Sequence, residues 1–509
     1  MNLLEDPWVP VRADGGTGVF RLLTYRELLC EPGNWQVSLP RDDLELACVQ
    51  LLVCMTQVMF LPEDVPALRA RLDTPLSLED FAAGVEPCRD WFDLDHPTQP
   101  FMQSRGVRAE KVTPIQKILV GLPEGNNHAF FNDVGEVAKL SGALTAIALF
   151  NQASNANSMG GGFKGNLRGG SNPYLTPVNI LVTGSDLRET VWRNVLTLPN
   201  IQKRLPGWTY DFGRDQPTWV KPINGGTEPI DWNDIGLVRG LFWQPTRLEL
   251  IRAEVPASCD ILEGGPVPVY TGFLKEQFKF TVKGLWPHPH GARTASTKKG
   301  VLEWKFVSFN TTVPAWTQLS EFVVPRGIDA PDTKEGCEPS GPVAQADEIG
   351  DGRLHLWIGG YCAKQGSIVE RRHERMSLAQ GWDYDKNRLK QLVDLGKEAK
   401  KSLCDTLWRA VQGDKKKGLK GIGAAIHETA EKHFYARTEM LIHETFSNKD
   451  TFKEWKTSKA AFVNQLATRC HVIFDDLTVP YAMKPELIPV IALARRSLNT
   501  ELAKLTEGI

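Results

Sequence analysis

Asp385-Lys386-Asn387-Arg388-Leu389-Lys390-Gln391-Leu392-Val393, running on through Leu403 and Leu407 to Gln412, sets its apolar residues three and four apart. That is the spacing of one buried face of an α-helix. The same pattern returns over Ala424–Ser447, Thr451–Phe474 and Pro485–Leu505, and after about Gly381 the only prolines are Pro480, Pro485 and Pro489. Gly413-Asp414-Lys415-Lys416-Lys417-Gly418 separates the first two segments. Four amphipathic helices with short joints predict an antiparallel bundle.

Working outward, the first three-quarters of the chain mixes short strand-like and helical stretches with many turns. The fold class expected is therefore α+β: a large irregular mixed domain over 1–380 carrying the functional loops, then a four-helix bundle over 381–509. At 509 residues the chain is too long for one core. Asp42 to about Phe60 reads as a helix with Asp42 as its cap, and Leu144–Ala153 as another. Val178–Gly184 reads as a strand followed by a helix over Leu187–Leu198, and Phe278–Gly284 alternates like a half-buried or edge strand. Pro325–Gly352, rich in Pro, Gly, Asp and Glu, reads as an irregular loop.

Composition narrows function. An apolar fraction of 42%, a charged fraction of 24% and a net charge of −2 are those of an ordinary globular protein rather than a sequence-independent DNA coater. Gly381–Ile509 carries about five more basic than acidic residues, so any nucleic-acid contact rests on local patches. The first residues lack the basic and apolar regions of a signal peptide, and the apolar run Leu44–Leu61 is broken by Glu45, Gln50 and Gln57, so no membrane partner is expected. Nine cysteines without C-x-x-C spacing fit a reduced, cytoplasmic setting. His427 and His433 do not share the i, i+4 face of a zincin helix, and the extended reading of His288-Pro289-His290 puts its imidazoles on opposite sides; both read as structural. No catalytic group, metal site or cofactor stands out.

One loop does carry chemistry. Met159-Gly160-Gly161-Gly162-Phe163-Lys164-Gly165-Asn166-Leu167-Arg168-Gly169-Gly170 combines bare backbone N–H groups with two cations, which suits a polyanion. Gly160, Gly162 and Gly165 match G-x-G-x-x-G, but a helix precedes them where a dinucleotide site needs a strand. A nucleotide-binding enzyme is thus the weaker alternative, and a purely architectural scaffold the other.

With these pieces in place the chain resembles the CasA family, the large subunit of the type I-E Cascade complex among CRISPR surveillance assemblies. The resemblance rests on Trp35–Asp43, Thr145–Ala153, the Gly160–Gly170 loop, Gly240–Pro245, Tyr270–Glu276, Gly284–His290, Glu370–His373 and His427–Glu431, in that order along the chain. It implies a non-catalytic, DNA-binding subunit. Such a subunit finds the protospacer-adjacent motif in double-stranded target DNA and starts strand separation, so that guide RNA can pair. The motif is read from the minor groove, whose code is degenerate. On this resemblance Gly160, Gly161 and Gly162 face the groove, with Ser158 where some relatives have a further glycine. Gln365 matches a wedge beneath the motif, beside Lys364. The family's groove lysine falls on Gln277, a departure that leaves Lys275 and Lys279, on the same face of a strand, to substitute. Lys164 and Arg168 become auxiliary phosphate contacts. Phe130, Phe131 and Asn132 match a loop that docks at the guide RNA 5′ handle and the backbone subunits. The bundle is implied to meet DNA and the small subunits and to help recruit the helicase–nuclease. Cys259 alone stands where some relatives have a cysteine cluster, so no metal is expected.

Overall fold

The computed structural model describes all residues except 123–134, 161–162, 170–174, 224, 227, 299, 310–312, 329–334, 351, 365–366 and 508–509. It divides into two compact units. The first is residues 1–311, 325–349 and 356–374; the second is 312–324, 350–355 and 375–509.

The first unit is built around two helices that no face exposes, α1 (Asp42–Met59) and α2 (Gly142–Ser154). Every residue of α2 and sixteen of α1 are buried. A helix apolar all round belongs in an interior, and these two pack on each other. Asp42, Asp43 and Glu45 complement the dipole in the first turn of α1, but Arg41, not Asp42, occupies the N-cap and makes no capping bond there. Where α1 buries polar groups it supplies partners: Gln57 donates to the Leu196 carbonyl at 3.0 Å and accepts from Leu196 N at 2.6 Å.

The strands that position the site are β1 (Thr113–Pro114), β2 (Leu140–Ser141), β3 (Asn179–Val182), β4 (Arg247–Arg252), β5 (Val269–Glu276), β6 (Leu354–Lys364) and β7 (Ser367–Leu378). β5 is central to one sheet, pairing with β1, β2 and β4, all antiparallel. In a second sheet β6 lies between β3 and β7, so β6 and β7 form a hairpin.

Two local readings are corrected. Within Phe278–Gly284 only Val282–Lys283 is a strand, and it pairs parallel with Ile230–Asp231. The reason lies in the aromatics: Phe278 and Phe280 lie side by side at 5.2 Å, and Phe280 meets Trp243 edge-on at 5.5 Å, so an irregular path replaces alternation. Likewise 325–352 is not all loop. Glu335–Glu338 forms a strand beside Arg293–Lys298, and Gly341–Ile349 forms a helix whose Gln345 bonds to Thr197 N and the Val195 carbonyl. These partners are distant in sequence, so no local pattern announces them.

His288 and His290 do not point apart. A turn in which His290 N donates to His288 Nδ1 (3.1 Å) brings their rings to 5.1 Å, fully enclosed. Burial, with the nearby Arg168 charge, pushes His290 down to about 3 and His288 well below its usual value.

The second unit holds the expected helices: α3 (Lys386–Gln412), α4 (Ile426–Ser447), α5 (Trp455–Ala482) and α6 (Ile488–Glu507). Leu389, Leu392, Val393, Leu403 and Leu407 are all fully buried, as their spacing predicts. Lys400–Glu431 (2.9 Å) links α3 to α4, Arg437–Asp476 (2.7 Å) α4 to α5, and Arg495–Asp475 (2.8 Å) α5 to α6. α5 outruns the expected end at Phe474 and stops two residues after Pro480. Gly396 of α3 lies against Trp316, where an added Cβ would fall 2.8 Å from the ring.

Two outcomes follow from this packing. Gly396→Ala gains up to about 1 kcal/mol of helix propensity, yet overpacks a rigid indole at a cost of about 1–3 kcal/mol. A net loss of stability in thermal unfolding is expected, and a more stable variant would show that Trp316 moves freely. For the histidines, the folded state holds both neutral, while the unfolded chain protonates below its ordinary value near 6.5. Stability is therefore full above that value and lost as pH falls below it, by about 2 kcal/mol at pH 5 for His290, with His288 acting in the same direction. Denaturant midpoints at pH 7.5 and 5 measure this, and His288→Gln/His290→Gln flattens the dependence.

Candidate nucleic-acid interface

The glycine loop is set by what precedes and follows it. α2 ends at Ser154, and Asn166 closes the loop by donating from N (3.1 Å) and Nδ2 (2.7 Å) to the Ala156 carbonyl. Gly165 sits so tightly in this closure that a Cβ would fall 1.7 Å from the Asn157 carbonyl oxygen. Only glycine fits there. Gly160 is different: it is exposed, has φ of +80°, and has nothing within 4 Å of an added Cβ. Its glycine serves conformation and leaves the backbone bare. Ser158 Oγ accepts from Gly160 N at 3.2 Å, and Phe163 N donates to the Gly160 carbonyl at 3.0 Å, so the hydroxyl braces the turn.

Gly160 and the end of β5 share one open cleft of about 450 Å³. Met159, Gly160 and Phe163 line one side, Lys275, Glu276 and Gln277 another, and the stretch Arg108–Thr113 with Lys117 a third. Lys275 Nζ lies over the Phe163 ring at 4.8 Å, joining the loop to the strand. Lys275 thus meets the glycine loop, and Gln277 lines the same cleft. β5 stops at Glu276, so Lys279 leaves the strand face on which it was expected; it is exposed, is not among the cleft's lining residues, and its carbonyl accepts from Gly226 N.

The two cations of the loop are committed elsewhere. Lys164 Nζ donates to the Phe280 carbonyl and lies 4.2 Å from that ring's centroid. Arg168 is only 1% exposed. Its guanidinium donates to Ser154 O (2.7 Å), to Asn155 Oδ1 (2.6 Å) and to Asn179 Oδ1. Burial pushes Arg168 down to about 9, which leaves it charged at neutral pH. A side chain so enclosed cannot reach a phosphate, so this expectation is corrected: Arg168 anchors the loop from inside. Gly161, Gly162, Phe130, Phe131, Asn132 and Gln365 lie outside the described residues, and Lys364 closes β6 directly before Gln365.

Three segments of interest converge at their bases. Val120, which precedes 123–134, Ala156, which precedes the glycine loop, and Tyr361 of β6 form one apolar cluster, against which Ile368 of β7 packs. Beneath it lies a polar knot on Asp43, which is 2% exposed. Arg41 grips the carboxylate with Nε at 3.0 Å and a terminal nitrogen at 2.8 Å, and the same nitrogen donates to the Val120 carbonyl at 2.9 Å. Tyr361 Oη donates to Asp43 at 2.8 Å, Arg371 of β7 at 3.0 Å, and Asn151 of α2 donates to Tyr361 Oη at 2.7 Å. Burial raises the Asp43 carboxyl, but the Arg41 bonds and charge, with Arg371, overcome it and hold the carboxyl below its ordinary range. Asn151 continues the chain to Asn155 (2.9 Å) and so to Arg168.

Sequence reading missed this knot and the Arg108–Lys117 wall. An aspartate followed by an apolar helix, and a run of spaced basic residues, were the only signals for them.

The chain belongs to the CRISPR-associated protein Cse1 family, whose model matches residues 2–470. CasA/Cse1 of Thermus thermophilus is 24% identical over 396 residues, covering 70% of this chain and 76% of that one. The crystal structure of Thermobifida fusca Cse1 has a TM-score of 0.74 at 17% identity, over 100% of this chain and 98% of that one. A chain of a CRISPR RNA-guided surveillance complex has a TM-score of 0.65 at 15% identity, over 98% and 99%. Among the described residues no helix is long and apolar enough to cross a membrane.

The knot generates a graded expectation. Asp43→Asn leaves two arginines facing a neutral amide, Arg371 partly in solvent, and costs about 3 kcal/mol. Tyr361→Phe keeps the ring and loses about 1 kcal/mol. Urea unfolding of each variant checks the order; equal stability of Asp43→Asn and the parent would show that the carboxylate does not hold the arginines.

Proposed function

We propose that this chain is the large, non-catalytic subunit of an RNA-guided antiviral surveillance complex in the cytoplasm, and that it reads the protospacer-adjacent motif in duplex DNA. The observation that carries this reading is the shared cleft. A conformationally special, exposed glycine and the basic end of β5 face one open space, as minor-groove recognition requires: backbone that can approach closely beside a cation that can follow it. Gly160, braced by Ser158, faces the groove together with Gly161 and Gly162. Gln277 stands at the position of the family lysine and supplies an amide to the groove, while Lys275, two residues before it, takes that lysine's part.

Strand separation falls to Gln365, between β6 and β7, with Lys364 beside it. A flat amide inserted below the motif occupies the space of a splayed base pair, and unstacking one step costs about a few kcal/mol. Phe130, Phe131 and Asn132 dock the guide RNA 5′ handle and neighbouring backbone subunits. The helical unit meets DNA and the small subunits and helps recruit the helicase–nuclease. Membership of the Cse1 family and the fold it shares with a chain of a surveillance complex support this assignment.

Binding of duplex libraries to the assembled complex tests it. Gly161→Ala is expected to lose motif-dependent binding by about tenfold or more, roughly 1.4 kcal/mol. Gln365→Ala is expected to keep initial binding but to open the duplex poorly, read by permanganate reactivity of thymines next to the motif. Wild-type behaviour of both variants would reduce these loops to connectors.

A further inference from the structure

The third side of the cleft takes no part in motif reading or strand separation as proposed above. We infer that the stretch Arg108–Lys117 is a backbone-binding wall, which takes phosphodiester groups of the duplex whose groove faces the glycine loop. This rests on the proposed function and adds to it a separate surface with a separate job.

The wall is held in place rather than draped. Thr113 and Pro114 pair with Phe273 and Gly272 of β5, and Arg108 N donates to Glu276 Oε2 at 3.1 Å. Its close approach depends on Gly272, where a Cβ would fall 2.7 Å from Val112 Cγ1 and 2.9 Å from the Thr113 carbonyl oxygen. Arg108, Ala109, Glu110 and Lys111 are exposed, and Lys117, three residues beyond Pro114, is half-buried. The side chains therefore stand off a fixed backbone into the cleft that Gly160 and Lys275 also line.

Its charge is of the right sign. The cleft gathers Arg108, Lys111, Lys117 and Lys275 against Glu110 and Glu276. Glu276 is partly answered already, since Oε2 accepts from Arg108 N and Oε1 lies 3.7 Å from Arg247. A chain of net charge −2 thus presents a local excess of cations next to its groove-facing loop. Long cationic side chains suit phosphate oxygens along a strand and carry no base code, so the wall sets affinity and register while the glycine loop sets the motif. Free phosphate ions share this chemistry, and the test separates the two sources.

The experiment uses the assembled complex with motif and non-motif duplexes at several salt concentrations. It compares the parent, Arg108→Gln/Lys111→Gln and Gly161→Ala, each checked by thermal unfolding. The double variant is expected to weaken both duplexes alike, and to lower the slope of log affinity on log salt by about 0.9 for each phosphate it no longer neutralises. Gly161→Ala is expected to change motif preference and leave the slope alone. Inorganic phosphate, added at constant ionic strength, is expected not to compete. An unchanged slope in the double variant, with motif preference still lost in Gly161→Ala, overturns the wall and leaves the proposed function standing. Unchanged motif preference in Gly161→Ala overturns the proposed function itself. Competition by millimolar phosphate that disappears in the double variant assigns the wall to a free anion and overturns the inference.

Discussion

Asp43 is the constraint on which the working part of this molecule depends. A carboxylate so deeply buried would be driven to neutrality if left alone. Arg41 and Arg371 keep it charged; Arg41 caps the helix that carries Asp43, but Arg371 comes from β7 and Tyr361 from β6, so satisfying one charge ties the start of α1 to both strands of the hairpin. Arg41 also reaches the Val120 carbonyl, and Tyr361 ties the carboxylate to Asn151 of α2. The segments before 123–134, before the glycine loop and on the β6–β7 hairpin are thereby referenced to a single point.

The same logic explains the fate of the loop's cations. A glycine-rich loop with nothing inside it has no reason to keep one shape, since glycine loses more freedom on ordering than any other residue. Arg168 counters this by running inward to Ser154, Asn155 and Asn179, and Lys164 by bridging to Phe280. The charge that sequence alone assigns to an anion serves to hold backbone still. The surface cations come instead from Arg108, Lys111 and Lys117, on a segment about fifty residues earlier, and from Lys275 of β5.

Departures from local expectation share one cause. The Phe278–Gly284 alternation yields to packing on Trp243, the Gly341–Ile349 helix is fixed by Gln345 bonds to a distant turn, and the His288–His290 turn is held by Ile180 N and Gly341 N, which donate to the His290 and Pro289 carbonyls. In each case an interaction between residues far apart in sequence outweighs a weak local preference.

A short period along the chain encodes its regular elements. The four long helices follow from apolar residues at three- and four-residue spacing. The buried α1 and α2 follow from near-continuous apolar runs, and Gly160 was legible because glycine is the residue of choice at positive φ. Tertiary structure alone decided which cations face the cleft, that Gln277 and Lys275 stand beside Gly160 while Lys279 does not, and that Asp43 underlies three loops. Those facts depend on pairings such as Thr113 with Phe273 and Tyr361 with Asp43, separated by some 160 and 318 residues. A linear pattern records the character of each side chain but not the neighbour that burial will force upon it.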